Sequence, residues 1–76
     1  MPELSTLLSQ MIDNLQRTLS SLSTSLQRYR SGLTTAQMEI GYGVAMMKGM
    51  METIVMIVAL RDDLVTRYLS LFTPLV

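Results

Sequence analysis

The sequence predicts an all-α fold: an antiparallel two-helix hairpin with coiled-coil-like packing that is completed by oligomerisation or by a partner. Apolar residues recur at heptad spacing in the first half, and a helix stop followed by a helix start divides the chain after residue 30. In addition, 49% of the 76 residues are apolar and only 16% are charged. So short a chain forms one domain at most, 1–76, and buries only about 60% of the surface of its unfolded form.

The first predicted helix covers about residues 2–30. Its apolar residues form two heptad series, Leu8, Leu15, Leu22, Tyr29 and Ile12, Leu19, Leu26, Leu33. Pro2 suits the first turn, where no N–H is needed, and Glu3 complements the helix dipole. Ser31-Gly32 predicts the stop, because glycine adopts the left-handed conformation after a helix at little cost.

The second predicted helix covers about residues 35–72, after a turn at 31–34. Thr34 and Gln37 have the spacing of a capping box, which marks the start of a helix. Thr73-Pro74 predicts its end, because the residue before a proline is disfavoured in the α region, and a loose tail follows. A connection this short joins antiparallel neighbours.

The second helix carries more apolar surface than one neighbouring helix covers. One seam is expected to face helix 1: Ile40, Val44, Met47, Met51, Ile54, Val58, Val65, Tyr68 and Phe72, with Arg61 out of place. A second surface is expected to bind a partner: Met46, Met50, Ile57, Leu60, Leu64 and Leu71. Flexible methionines suit such a surface, although they also fill irregular gaps in a core. A helix that is apolar on most of its circumference has to be buried on most of it.

Glycines weaken the start of this second helix. Gly41, Ala45 and Gly49 lie on one face at four-residue intervals, a pattern that permits close helix approach. Each helical glycine costs about 1 kcal/mol relative to alanine, and Gly43 adds to that cost. We therefore expect this segment to order fully only against a partner.

The residue types disfavour an enzyme and predict neither a cofactor nor a metal site. Without Cys or His, disulfides and ordinary zinc sites are excluded, and the common general bases and nucleophile pairs lose their usual members. Asp62-Asp63 offers carboxylates for Mg²⁺, but Asp63 stands four residues before Arg67, which favours an ion pair. Net charge is zero, and Arg28-Tyr29-Arg30 falls far short of a basic groove, so no nucleic acid is expected.

A membrane-spanning segment is also disfavoured. The most apolar stretch, Val44 to Leu60, is interrupted by Lys48 and Glu52, whereas a spanning helix needs about 20 predominantly apolar residues. The first ten residues lack the basic and apolar runs of a secretory signal, so they are expected to be mature sequence.

Three segments together resemble a known family. They are Arg30-Ser31-Gly32 at the end of the first helix, the capped restart from Thr34 to Gln37, and the aliphatic run from Met51 to Val58. Over roughly Leu19 to Arg67 the chain resembles the small helical co-chaperones of the needle subunit in bacterial type III secretion systems. The resemblance implies a cytoplasmic hairpin that joins a larger tetratricopeptide-like chaperone, the two together holding an aggregation-prone needle subunit.

These observations predict a protein-binding hairpin that acts as a small chaperone or assembly factor. One alternative is a structural subunit that self-assembles, either as a homodimeric four-helix bundle or as a filament or capsid component. Another is a membrane-active hairpin in which Val44 to Leu60 enters a bilayer. In the first two cases the partners are protein helices, of another protein or of a second copy.

Overall fold

Three α-helices make up the computed structural model, which describes residues 3–73. They are α1 (Leu4–Ser31), α2 (Thr35–Glu39) and α3 (Val44–Ser70). The long helices α1 and α3 pack against each other as an antiparallel hairpin, which confirms the predicted fold class. The expectations for Pro2, Pro74 and the tail lie outside the described residues.

Helix α1 presents one apolar stripe to α3. Leu8 and Leu19 are buried, and the other six members of the predicted heptad series are half-buried. The Ser, Thr, Asn, Gln, Asp and Arg side chains between Ser9 and Ser31 are all exposed. On this polar side Arg17 Nη2 lies 2.6 Å from Asp13 Oδ2. The heptad pattern therefore predicted the packed face of α1 correctly.

The connection after α1 agrees with the sequence in one feature and differs in another. Gly32 caps α1 with φ −79° and ψ −9°, so the left-handed conformation expected there is wrong. Its N–H donates to the Arg28 carbonyl at 3.1 Å, which continues the right-handed turn. The capping box is confirmed: Gln37 N donates to Thr34 Oγ1 at 3.1 Å, and Thr34 N donates to Gln37 Oε1 at 2.9 Å.

The predicted second helix, 35–72, is divided by a glycine turn at residues 40–43. Gly41 and Gly43 both have φ +76°, a left-handed conformation that no α-helix contains. A Cβ atom on Gly43 would lie 2.6 Å from the Tyr29 hydroxyl oxygen, so any other residue here would require the Tyr29 ring to move. The break thus has two causes, backbone conformation and close approach to Tyr29.

Helix α3 meets α1 along a line between the two surfaces expected from its sequence. Its buried and half-buried residues are Met47, Met50, Ile54, Ile57, Val58, Arg61, Leu64, Val65 and Tyr68. Ile40, Val44, Met51 and Phe72, expected in the seam, are exposed. Arg61 lies along this line: its side chain is only 27% exposed, and its guanidinium donates to Gln16 Oε1 at 3.3 Å. An arginine is therefore tolerated where the sequence pattern excluded it.

The hairpin is one helix layer thick. Its extents are 59 × 25 × 13 Å and its radius of gyration is 17.6 Å, against about 11.4 Å for a compact domain of this length. Domains normally bury a core between two packed layers. Here only Leu8, Leu19 and Leu64 are buried apolar residues within the described part of the chain.

Candidate interaction surface

Only three of the six residues predicted to bind a partner are exposed. Met46, Leu60 and Leu71 are exposed, as the prediction requires. Leu64 is only 7% exposed, and Met50 and Ile57 are half-buried in the seam with α1. Their placement on an outward surface is therefore wrong, because the contact line on α3 is rotated toward them.

Exposed apolar side chains outnumber buried ones by far. Among residues 3–73, fifteen large hydrophobic residues are exposed and three are buried. Nine of the fifteen follow the glycine turn: Val44, Met46, Met51, Val55, Met56, Leu60, Leu69, Leu71 and Phe72. The apolar excess is therefore concentrated in and just after α3.

Four of these nine residues line an open groove at the turn end of the hairpin. Helix α3 provides one wall, which consists of Val44, Met47, Lys48, Met51, Glu52, Val55 and Met56. The other parts of the groove come from Leu26, Gln27, Arg30, Met38 and Tyr42. Its volume is about 1150 Å³, and we call these twelve residues the methionine groove. It was missed in the sequence because Val44 and Met51 were assigned to the hairpin seam.

The glycine turn builds one end of the methionine groove. Because Gly41 and Gly43 leave the right-handed helical conformation, α2 and α3 do not form one continuous helix. Tyr42 N–H donates to the Gln37 carbonyl at 2.8 Å, which fixes the turn, and the Tyr42 side chain is 55% exposed. A continuous helix through residues 40–43 would remove this end of the methionine groove.

The charges of the methionine groove lie at its rim. Lys48 Nζ is 4.0 Å from Glu52 Oε1, and both side chains are well exposed. Such exposed pairs contribute little to folding, about 0–1 kcal/mol. Arg30 forms no ion pair within residues 3–73. Between these charges the groove presents thioether and branched aliphatic groups, which adapt to the shape of an apolar partner.

The two neighbouring carboxylates on α3, Asp62 and Asp63, each form an ion pair with an arginine. Arg67 Nε lies 3.0 Å from Asp63 Oδ2, as predicted, and Arg61 Nη2 lies 3.0 Å from Asp62 Oδ1. The described part of the chain holds no cluster of three potential metal ligands. Tyr29 is half-buried against the Gly43 backbone, which agrees with a packing role in the heptad seam.

The small-residue stripe of Gly41, Ala45 and Gly49 does not face α1. All three residues are exposed, and a Cβ atom on Gly49 would meet nothing within 4 Å. The close backbone approach in the hairpin occurs at Gly43 instead, where Tyr29 packs. The stripe is therefore outward surface, adjacent to the α3 wall of the groove.

Fold and groove together define a helical hairpin with an uncovered apolar face. Comparison with protein-family models, with curated proteins and with solved structures finds no match to this chain. Within residues 3–73, neither α1 nor α3 combines the length and the hydropathy that a bilayer-crossing helix requires.

Proposed function

We propose that this chain is a protein-binding helical hairpin, a small chaperone or assembly factor that docks helices in its methionine groove. The observation that supports the proposal is the exposure of Met51 and Val55, 56% and 66%, in the middle of a long apolar helix. Burying such side chains contributes roughly 25 cal/mol per Å² of apolar surface. A partner helix supplies that burial, which the hairpin alone does not.

The dimensions of the groove match a short helix. Along α3 it runs from Val44 to Met56, which is about 18 Å at 1.5 Å per residue. An amphipathic helix of about 12 residues covers that length with three apolar anchors, in the manner of helix-in-groove recognition. Val44, Met51 and Val55 would contact those anchors.

The most specific version of this function is drawn from the family resemblance. In it the hairpin is cytoplasmic, binds a larger helical chaperone, and helps to hold a needle subunit of a type III secretion system. Leu26, Arg30 and half of the run from Met51 to Val58 lie in both the resembling segment and the methionine groove. The residues of that run in the groove are Met51, Glu52, Val55 and Met56. Formation of a ternary complex on co-expression with those two proteins tests this version.

The general proposal is tested with a synthetic amphipathic peptide of about 12 residues, carrying Leu at spacings of three and four. We expect the full chain to bind it, and Met51→Asp with Val55→Asp to weaken binding at least tenfold. Fluorescence anisotropy of a labelled peptide measures this.

A matched control tests the surface predicted from sequence. Met46→Asp with Leu60→Asp introduces the same two charges at exposed positions outside the groove. This variant should bind the peptide like the original chain, and circular dichroism should show equal helicity in all three proteins. Equal loss of binding in both variants contradicts the proposal.

A further inference from the structure

We infer that, when the chain is by itself, a second copy of the chain covers the methionine groove. The two α3 helices lie antiparallel about a two-fold axis, and two hairpins form a four-helix assembly. This inference rests on the proposed function, because it names the helix that occupies the same groove.

The first argument is surface area. The chain exposes 6053 Å², whereas a compact monomer of 8.5 kDa exposes about 4,650 Å². The difference is about 1,400 Å² per chain. Standard interfaces bury about 800 Å² per partner, and obligate homodimers start at about 1,000 Å² per partner. The excess per chain is therefore larger than the area that a stable isologous contact needs.

The second argument is charge complementarity. Lys48 and Glu52 lie on the same rim of α3, one turn apart. An antiparallel contact with its axis near residue 50 places Lys48 beside Glu52 of the partner subunit, and the symmetry repeats the pair. The face is thus complementary to itself, which an isologous interface requires.

The same register also matches the apolar residues. Val44 lies beside Met56 of the partner subunit, at both ends of the contact. The two copies of Met51 meet close to the axis, where their flexible side chains fill the space between the helices. In this register no apolar residue of the α3 face opposes a charged residue. The charged residues oppose each other at the rim.

The test measures the mass of the full chain by sedimentation equilibrium over a wide concentration range. We expect a dimer that dissociates on dilution. Met51→Asp should raise its dissociation constant at least tenfold, while Met46→Asp, outside the groove, should change it by less than about threefold. A chain that stays monomeric at all concentrations overturns the inference.

Charge reversal tests the register. Lys48→Glu gives four carboxylates at the rim of a homodimer, and Glu52→Lys gives four ammonium groups. Each variant alone should dissociate about tenfold more readily than the original chain. An equimolar mixture should restore association to within about threefold, because each chain then supplies the opposite charge. Single variants that self-associate normally, or a mixture that does not recover, contradict the proposed pairing.

The peptide experiment separates this inference from the proposed function. If the chain is monomeric yet binds the amphipathic peptide in a Met51-dependent way, the second copy is the wrong occupant and the groove still docks helices. If the chain dimerises, the peptide should convert dimers into one-to-one complexes. If the chain neither dimerises nor binds the peptide, both proposals fail.

Discussion

The helices α1 and α3 have nearly equal lengths, 28 and 27 residues, but their apolar residues are distributed very differently around the helix axis. α1 has one apolar stripe, and the hairpin uses most of it: its heptad residues are all buried or half-buried. α3 has apolar residues on most sides, and the hairpin uses only the line from Met47 to Tyr68. The difference indicates two roles. The apolar stripe of α1 is used within the hairpin, whereas α3 keeps exposed apolar surface on which a further helix can pack.

Truncating a seam residue should have the largest effect on folding. Leu64→Ala removes a side chain that is 7% exposed and leaves a cavity against α1, so we expect a loss of about 2–4 kcal/mol of unfolding free energy. Leu60→Ala, four residues earlier and exposed, should cost less than about 0.5 kcal/mol. Urea denaturation followed by circular dichroism measures both. Losses below about 0.5 kcal/mol for both variants would mean that α3 meets α1 along the line expected from its sequence, which leaves both leucines facing outward.

Alanine at two glycines of the second half should have opposite effects. Gly43→Ala puts a Cβ atom at φ +76° and 2.6 Å from the Tyr29 hydroxyl oxygen, so we expect a loss of about 1–3 kcal/mol. Gly49→Ala, inside α3 with open space around it, should stabilise by up to about 1 kcal/mol. Thermal unfolding of the two variants provides the measurement. A stabilising Gly43→Ala would show that the glycine turn is not required and that α2 and α3 form one helix.

The distribution of apolar residues around each helix also decides how well the sequence predicts its packed face. In α1 the polar residues leave one possible stripe, so heptad spacing identifies the packed residues one by one. In α3 apolar residues surround the axis, so spacing alone does not fix which side faces α1. The pattern puts Met51 in the seam and Leu64 on the outward surface, whereas in the structure Met51 is exposed and Leu64 is buried. The rotation of α3 is set by contacts distant in sequence, such as Gly43 with Tyr29 and Arg61 with Gln16.

The candidate site was predictable only in outline. The excess of apolar residues and the cluster of methionines after Gly43 indicated that α3 needs a partner. Their grouping into a groove depends on the glycine turn, which places Tyr42 and Met38 beside the α3 wall. The two glycines, spaced two apart around Tyr42, were the available signal for that turn, but they were interpreted as weakness within a continuous helix.

The helix cap at the start of α2 should have an intermediate effect. Thr34→Ala removes the Oγ1 acceptor of the Gln37 N–H, which lies 3.1 Å away, and we expect a loss of about 1 kcal/mol. Thr34→Ser retains the hydroxyl, and serine is at least as good an N-cap as threonine, so this variant should lose no measurable stability. Because α2 supplies Met38 to the groove, Thr34→Ala should also weaken peptide binding. An unchanged affinity would show that α2 contributes nothing to the methionine groove.

The smallest effects concern two ion pairs of the same spacing, and they compare α1 with α3 most directly. Asp13 with Arg17 and Lys48 with Glu52 are both exposed pairs four residues apart, so removing either charge should change the unfolding free energy of the monomer by about 0.5 kcal/mol or less. Asp13→Asn should also leave the dimer unaffected, since it lies on the polar side of α1. Lys48→Gln should weaken the dimer severalfold, because it removes both rim pairs with Glu52 of the partner subunit. Sedimentation at low salt, where screening is weak, measures the dissociation constant of both variants. If both changes weaken the dimer equally, the distinction between a helix that stabilises the hairpin and a helix that binds is lost.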